Sequence, residues 1–273
     1  MSSKMVTEQY STSFAWASTL FKPDIRQHIY NIYGFVRFAD EIVDTFHDFD
    51  KAKLLDKFEM DYRETLDQGI SLNPILHSFC RTVREKEIPL HLVDAFLSSM
   101  KMDLGEINNL QDAKYREYIY GSAEVVGLMC LKVFVEGNTD EFEKLKPYAQ
   151  SLGAAFQKIN FLRDIHADFT ALERSYFPGV DFLNFSEADK KQIERDIEKD
   201  FEHALIGIKK LPVSSRLAVF MAYKYYQNLL IKISKCSADH LKEKRVRVSN
   251  MRKVYLFGEM KICQHFSLVP RSI

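Results

Sequence analysis

Apolar residues recur at intervals of three and four along nearly the whole chain, and that spacing predicts helices. From Tyr33 to Asp48 one such stripe is Phe35, Phe38, Ala39, Ile42, Val43 and Phe46, while Asp40, Asp44 and Asp48 fall four apart on a second stripe. Proline and glycine are sparse and mark the ends of the pattern. Residues 10–20 read as a short helix or an aromatic-rich leading segment, and Lys22-Pro23-Asp24 opens a helix reaching Phe46, with Pro23 in its first turn. Further helices are predicted over residues 52–67, 74–86, 90–104, 113–136, 148–169, 190–209, 214–235 and 250–266. Ser186-Glu-Ala-Asp189 has the form of a capping box, and Pro178-Gly179 marks a turn within a loop over 173–182. No repeat, low-complexity tract or linker interrupts the series. The expectation is an all-α fold, one domain over residues 1–273, with a ligand held between helices.

Composition narrows the class. The 46% hydrophobic and 28% charged residues suit a folded soluble chain rather than a disordered one. A formal net charge of zero argues against a nucleic-acid binder, which ordinarily carries a basic excess. The abundant Phe and Tyr fit either aromatic walls around an apolar ligand or a Phe-rich core. Cys80, Cys130, Cys236 and Cys263 are far apart and lack zinc-site spacing, so they read as thiols in a reducing compartment. The amino terminus has no apolar run of the signal-peptide kind, and no segment approaches a membrane span. The expected location is cytoplasmic. Peripheral contact with the inner face of the cytoplasmic membrane stays open, because a helix with one apolar face needs no such run.

Asp40 and Asp44 stack about one turn apart, where like charges repel. A divalent cation would neutralise them; a wet helical face would tolerate them. The run Gln157-Lys-Ile-Asn160-Phe-Leu-Arg163-Asp164-Ile-His-Ala-Asp168 repeats the spacing in Asp164 and Asp168, with the neutral oxygen of Asn160 one turn earlier. Its surroundings are apolar, so this polar stripe should face a wet internal site, since buried polar groups need partners. Arg37 and Arg163 stand beside the acids. A ligand that accepts from guanidinium groups and also binds Mg²⁺, such as a diphosphate, would use both. A di-iron bundle would want Glu ligands and Glu-x-x-His motifs, whereas His166 lies two residues from each aspartate and faces away. Two unrelated surface stripes remain the plain alternative. The segment 242–253 carries Lys242, Lys244, Arg245, Arg247, Arg252 and Lys253 against Glu243 alone. It reads as a solvated linker, as a clamp on a second diphosphate through Arg245 or Arg247, or as a draw for anionic lipid head groups.

Taken together, Tyr33-Gly-Phe-Val-Arg37-Phe-Ala-Asp40-Glu41-Ile-Val-Asp44, Met102-Asp-Leu104, Tyr115-Arg-Glu-Tyr118, Gly121-Ser-Ala-Glu-Val-Val-Gly127, the Gln157–Asp168 run and Tyr176-Phe177-Pro178 resemble the squalene/phytoene synthase family of isoprenoid synthases. The resemblance runs from Ser13-Phe14 to the last helix and is most like bacterial phytoene synthases. It implies the isoprenoid synthase (prenyltransferase) helical fold, with a central active-site cavity lined by both aspartate motifs. It also implies Mg²⁺ at Asp40, Asp44, Asp164 and Asp168 with Asn160 beside them, Mn²⁺ serving as a substitute. Arg37, Gln157, Asn160 and Arg163 match positions near the diphosphates, and Tyr33 matches an active-site tyrosine. Tyr120 and Tyr225 would approach the reacting carbons or a diphosphate. Phe14, Phe35, Leu128, Met129, Leu152, Phe156 and Phe161 are expected as cavity wall, or equally as plain core.

The reaction implied is head-to-head condensation of two allylic prenyl diphosphates without an obligate protein partner. Two geranylgeranyl diphosphates would give phytoene through prephytoene diphosphate, releasing pyrophosphate. No nicotinamide-linked region is evident, so no nicotinamide cofactor is expected. The alternatives are a farnesyl diphosphate-using dehydrosqualene or squalene synthase and, of another class, a non-catalytic scaffold or assembly protein, which would be expected to lose the aspartates or arginines this chain keeps. Two departures bear on the site. Ala167 stands where the second motif often has an acid, and Glu41 next to Asp40 serves either as a helix-side salt-bridge partner or as support for the site. Asp48 lies beyond the motif and is expected to be solvated.

Overall fold

In the computed structural model the described residues are 2–10, 12–105, 110–172, 176–180 and 184–265; for residues 10, 12, 13, 167–172, 264 and 265 only the backbone is described. They form α1 (Ser2–Tyr10), α2 (Thr12–Ser18), α3 (Pro23–Asp44), α4 (Lys51–Gln68), α5 (Pro74–Glu85), α6 (Leu90–Met102) and α7 (Asp112–Ile119). A π-helical turn, Tyr120–Glu124, leads into α8 (Val125–Phe134). Then come α9 (Thr139–Leu172), α10 (Glu187–Lys210), α11 (Val213–Ser234), α12 (Ala238–Glu243) and α13 (Asn250–His265). The all-α expectation holds.

Local chemistry explains most boundaries. Pro23 sits in the first turn of α3, Asp50 caps α4 by accepting from the Lys53 amide, and Ser186 and Asp189 form the anticipated capping box of α10. Four elements depart from the sequence expectation, one of them α12, which falls between two predicted helices and is capped by Ser237 accepting from the His240 amide at 3.1 Å. Helix α9 starts nine residues before Tyr148, because Asn138 caps it by accepting from the Glu141 amide at 3.1 Å. Pro147 lies inside that helix on an exposed turn, where the carbonyl left without its usual partner, on exposed Glu143, can turn to water. The helix expected over 113–136 is broken by the π turn, whose Gly121 lies against α6: a Cβ there would stand 2.6 Å from the Ala95 carbonyl oxygen. Helix α1 was not legible at all. Its fully buried residues include Ser3 and Thr7, so its inner face carries no apolar period, and Thr7 returns its hydroxyl to the Ser3 carbonyl.

Successive contacts close a ring of helices. Phe14 of α2 stacks on Tyr33 of α3; α3 packs on α8, α8 on α9, α9 on α11, and α11 on α2. The π turn approaches α9 closely: a Cβ on Gly153 would meet the Ala123 carbonyl oxygen at 2.8 Å and the Glu124 Cα at 2.9 Å. Helices α4, α5 and α6 back α3 from outside, and α10 backs α9. A continuous hydrophobic cluster threads these layers, centred on Phe35 and its stack with Phe79 at 3.9 Å. The two polar stripes thus lie on α3 and α9, on either side of α8.

Candidate active site

The helical repeat puts Tyr33, Arg37, Asp40 and Asp44 on one face of α3, at intervals of four, three and four. All four are half-buried, while Ile29, Ile32, Phe35, Ala39, Ile42 and Val43 face the core. The Arg37 guanidinium forks, donating through Nη1 to Asp40 and through Nη2 to Glu41. Glu41 is therefore a salt-bridge partner of Arg37. Burial alone would lower the Arg37 pKa; Asp40 and Glu41 more than offset it and hold the guanidinium above its ordinary value. Asp48 is exposed beyond the helix.

On α9, Gln157, Asn160, Arg163 and Asp164 are half-buried. Asp164 accepts from two arginines. Arg163 bends back to it through Nε at 2.9 Å and through Nη2, and Arg245 reaches it with Nε at 2.6 Å and Nη2 at 3.2 Å. Burial would likewise lower the Arg163 pKa, and Asp164 holds it up. Arg245 rides on the extended strap 244–249 between α12 and α13. The strap is anchored at Arg247, whose carbonyl accepts from Lys232 Nζ at 2.6 Å, and just before its start, where His166 Nδ1 bonds the carbonyl of Lys242 in the last turn of α12 at 2.5 Å. His166 fastens the segment that delivers Arg245. The side chain of Asp168 lies outside the described residues.

Tyr226 was not anticipated. It donates its hydroxyl to Asn160 Oδ1 at 3.3 Å and stacks on Phe156 at 4.0 Å. Burial raises its pKa, so at neutral pH the hydroxyl stays a donor. The anticipated Tyr225 stands edge-on to it at 5.4 Å, beneath Lys253, whose Nζ is 5.7 Å from the ring centre. Tyr120 is half-buried at the start of the π turn. The expected wall residues divide. Phe14, Leu152 and Phe156 keep partial exposure along the ring. Phe35, Leu128, Met129 and Phe161 are fully packed, Phe35 against Phe58 and Phe79, and Phe161 against Tyr176 at 4.0 Å. The Met102-Asp-Leu104 motif has a structural use: Asp103 accepts the Tyr118 hydroxyl at 2.7 Å.

A cavity of about 930 Å³ lies away from these acids, on another face of α9, between it, α7 and α10. Tyr115, Glu124, Gln150, Lys158, Phe177 and Asp200 help line it. Lys158 is six residues from Asp164, hence about 120 degrees round the helix. Its ammonium is already matched by Asp196 at 2.5 Å and Asp200 at 2.8 Å. That ammonium is already taken by two carboxylates, so the acid–arginine stripes make the stronger candidate for an anionic ligand.

The donors on those stripes are all hard oxygens, from Asp40, Asp44, Asp164 and Asn160, a set that suits Mg²⁺ or Mn²⁺. Among the described residues no three His, Cys, Asp or Glu side chains stand grouped closely enough to hold a metal ion. The arginines instead carry the compensating charge.

A squalene/phytoene synthase family model matches residues 7–252. The chain is 22% identical to the 4,4'-diapophytoene synthase of Staphylococcus haemolyticus, covering 94% of each chain. It is 28% identical to a chloroplastic phytoene synthase of an Oncidium hybrid cultivar, over 91% of this chain and 64% of that one, and so spans less than two thirds of the plant protein. Among solved structures it superposes on a dehydrosqualene synthase with a TM-score of 0.82 at 21% identity, covering 97% and 95% of the two chains. A squalene synthase from Alicyclobacillus acidocaldarius gives 0.73 at 18% identity, over 89% and 94%.

Proposed function

Because the chain belongs to the squalene/phytoene synthase family, whose reaction is head-to-head prenyl condensation, we propose that it joins two geranylgeranyl diphosphates to make phytoene. The observation that carries this reading is the pair of half-buried acid stripes in one helical ring, each coupled to guanidinium groups: Arg37 with Asp40, and Arg163 and Arg245 with Asp164. Carboxylates beside arginine forks suit a ligand that is both metal-bound and anionic. The higher identity to the plant phytoene synthase supports the C20 substrate. 4,4'-Diapophytoene from farnesyl diphosphate is the second reading, favoured by the end-to-end match with the staphylococcal protein.

Asp40, Asp44, Asp164 and Asp168, with Asn160, would hold Mg²⁺, which when bound supplies positive charge against a departing pyrophosphate. Arg37, Arg163 and Arg245 orient the two diphosphates and stabilise the same developing charge through paired N–H donors. Ionisation of the first substrate breaks its C1–O bond. The C2–C3 double bond of the second attacks that carbon, and loss of a proton to the released pyrophosphate closes the cyclopropane of prephytoene diphosphate. A second ionisation, rearrangement and proton loss give the linear triene. Phe14, Tyr33, Phe156 and Tyr226 keep water from the cations and turn π faces toward them. Tyr226, held protonated by burial, positions Asn160 rather than taking a proton.

The test supplies geranylgeranyl and farnesyl diphosphate separately, with Mg²⁺ and with or without a nicotinamide cofactor. Phytoene formed without the nicotinamide is the expected result, and product from farnesyl diphosphate alone would install the second reading. Asp40→Asn should cut turnover at least about 100-fold while lowering Tm by only about 2 °C, since Glu41 still pairs with Arg37. Absence of product from either substrate, with no Mg²⁺-dependent binding of pyrophosphate, would point to a scaffold.

A further inference from the structure

Helix α13 has two unlike faces. Leu256 and Met260 are buried, and Phe257 meets Trp16 of α2 at 5.6 Å. The other face is Met251, Val254, Tyr255, Gly258 and Ile262, whose spacing of three, one, three and four keeps them in one stripe. The four side chains are 85, 55, 60 and 59% exposed. A Cβ added at Gly258 would meet nothing within 4 Å, so no described residue covers the middle of the stripe. Soluble surfaces ordinarily scatter such residues singly.

Cations flank the stripe on both sides. Arg252 and Lys261 fall about 100 and 80 degrees to either side of Met251 on the helix. Arg252 lies over the Tyr255 ring at 5.1 Å and Lys261 over the Phe257 ring at 5.5 Å. Between residues 242 and 262 there are seven Lys and Arg against Glu243 and Glu259, in a chain whose formal charge is zero. Among the described residues no helix is long and apolar enough to cross a membrane.

We propose that this face of α13 docks the protein on an anionic lipid bilayer, Met251, Val254, Tyr255 and Ile262 entering the head-group boundary while the flanking cations meet lipid phosphates. The charge pattern selects this occupant. A second copy would set like cations against each other across the same face. The strap leading into α13 carries Arg245 to Asp164, so docking would hold the acid–arginine cluster near the bilayer. The inference does not depend on the catalytic reading.

The experiment is co-sedimentation of the full chain with phosphatidylglycerol/phosphatidylcholine vesicles, and with phosphatidylcholine alone. Binding should be at least about tenfold stronger to the anionic vesicles and should weaken with salt. The variant Met251→Asp/Val254→Asp/Ile262→Asp should lose about tenfold or more with Tm unchanged, and Arg252→Glu/Lys261→Glu should lose the preference for anionic lipid. No vesicle binding, or binding that both variants retain, overturns the proposal. A marked drop in Tm of the triple variant would show that residues 266–273 or other parts of the chain cover the stripe. A wild-type dimer that the triple variant dissociates would assign the face to a second copy. Either result also overturns lipid docking.

Discussion

Arg245 separates a structural role from a substrate-binding one. Its guanidinium makes two bonds to Asp164, 2.6 and 3.2 Å long, from a side chain that is nearly half exposed. Arg245→Ala leaves Asp164 paired with Arg163, so no carboxylate is stranded. The stability cost is that of a partly screened ion pair, about 0.5–1 kcal/mol. For a chain of this length that lowers Tm by about 2 °C. Under the proposed function the same fork also grips a diphosphate. Charge-assisted hydrogen bonds are worth about 1.5–3 kcal/mol, which corresponds to a KM rise of about 10- to 150-fold. Steady-state kinetics and a thermal melt on one preparation therefore read different numbers. Arg245→Lys keeps the charge and loses the fork, and should fall between wild type and alanine in KM. Unchanged KM in Arg245→Ala, or a Tm drop of more than about 5 °C, would refute the reasoning.

Other outcomes follow from single contacts. His166→Ala frees the lead-in to the strap at Lys242 and should raise KM several-fold, less than Arg245→Ala does, with kcat nearly unchanged; an effect confined to kcat would contradict a positioning role. Gly153→Ala forces a Cβ onto the backbone of Ala123 and Glu124, and a thermal melt should show a loss of about 2–3 kcal/mol, whereas Gly258→Ala meets open space and should gain up to about 1 kcal/mol of helix propensity. Burial raises the Glu124 pKa against the bond it accepts from Gln150 at 2.9 Å. The native state then keeps that proton as pH rises past 4.5 while the unfolded chain releases it, so this group makes stability fall with rising pH up to its raised pKa. Glu124→Gln should flatten that slope in Tm measured against pH, and an unaltered slope would count against it.

What local order could tell, the amino-acid sequence told. Helices α3, α5, α10 and α11 follow from apolar periodicity and from caps such as Ser186 with Asp189, because both signals act within a few residues. The grouping of Arg37 with Asp40 needs only helical phase, and the repeated Asp spacing on α9 was read the same way. Packing decided the rest. Adjacent Tyr225 and Tyr226 point about 100 degrees apart, and only the direction in which α11 meets α9 selects Tyr226 for Asn160. Arg245 and Arg247 were equal candidates until the strap's anchors put the first on Asp164 and gave the carbonyl of the second to Lys232. Phe35 and Phe156 look alike as apolar helical positions, yet one is sealed among Phe58 and Phe79 and the other keeps an open side beneath Tyr226. Helix α1 lies beyond any apolar pattern because its inner face includes buried Ser3 and Thr7, with Ser3 set close against Gly34. Periodicity states which residues share a face; which face meets which neighbour is a property of the assembled helices alone.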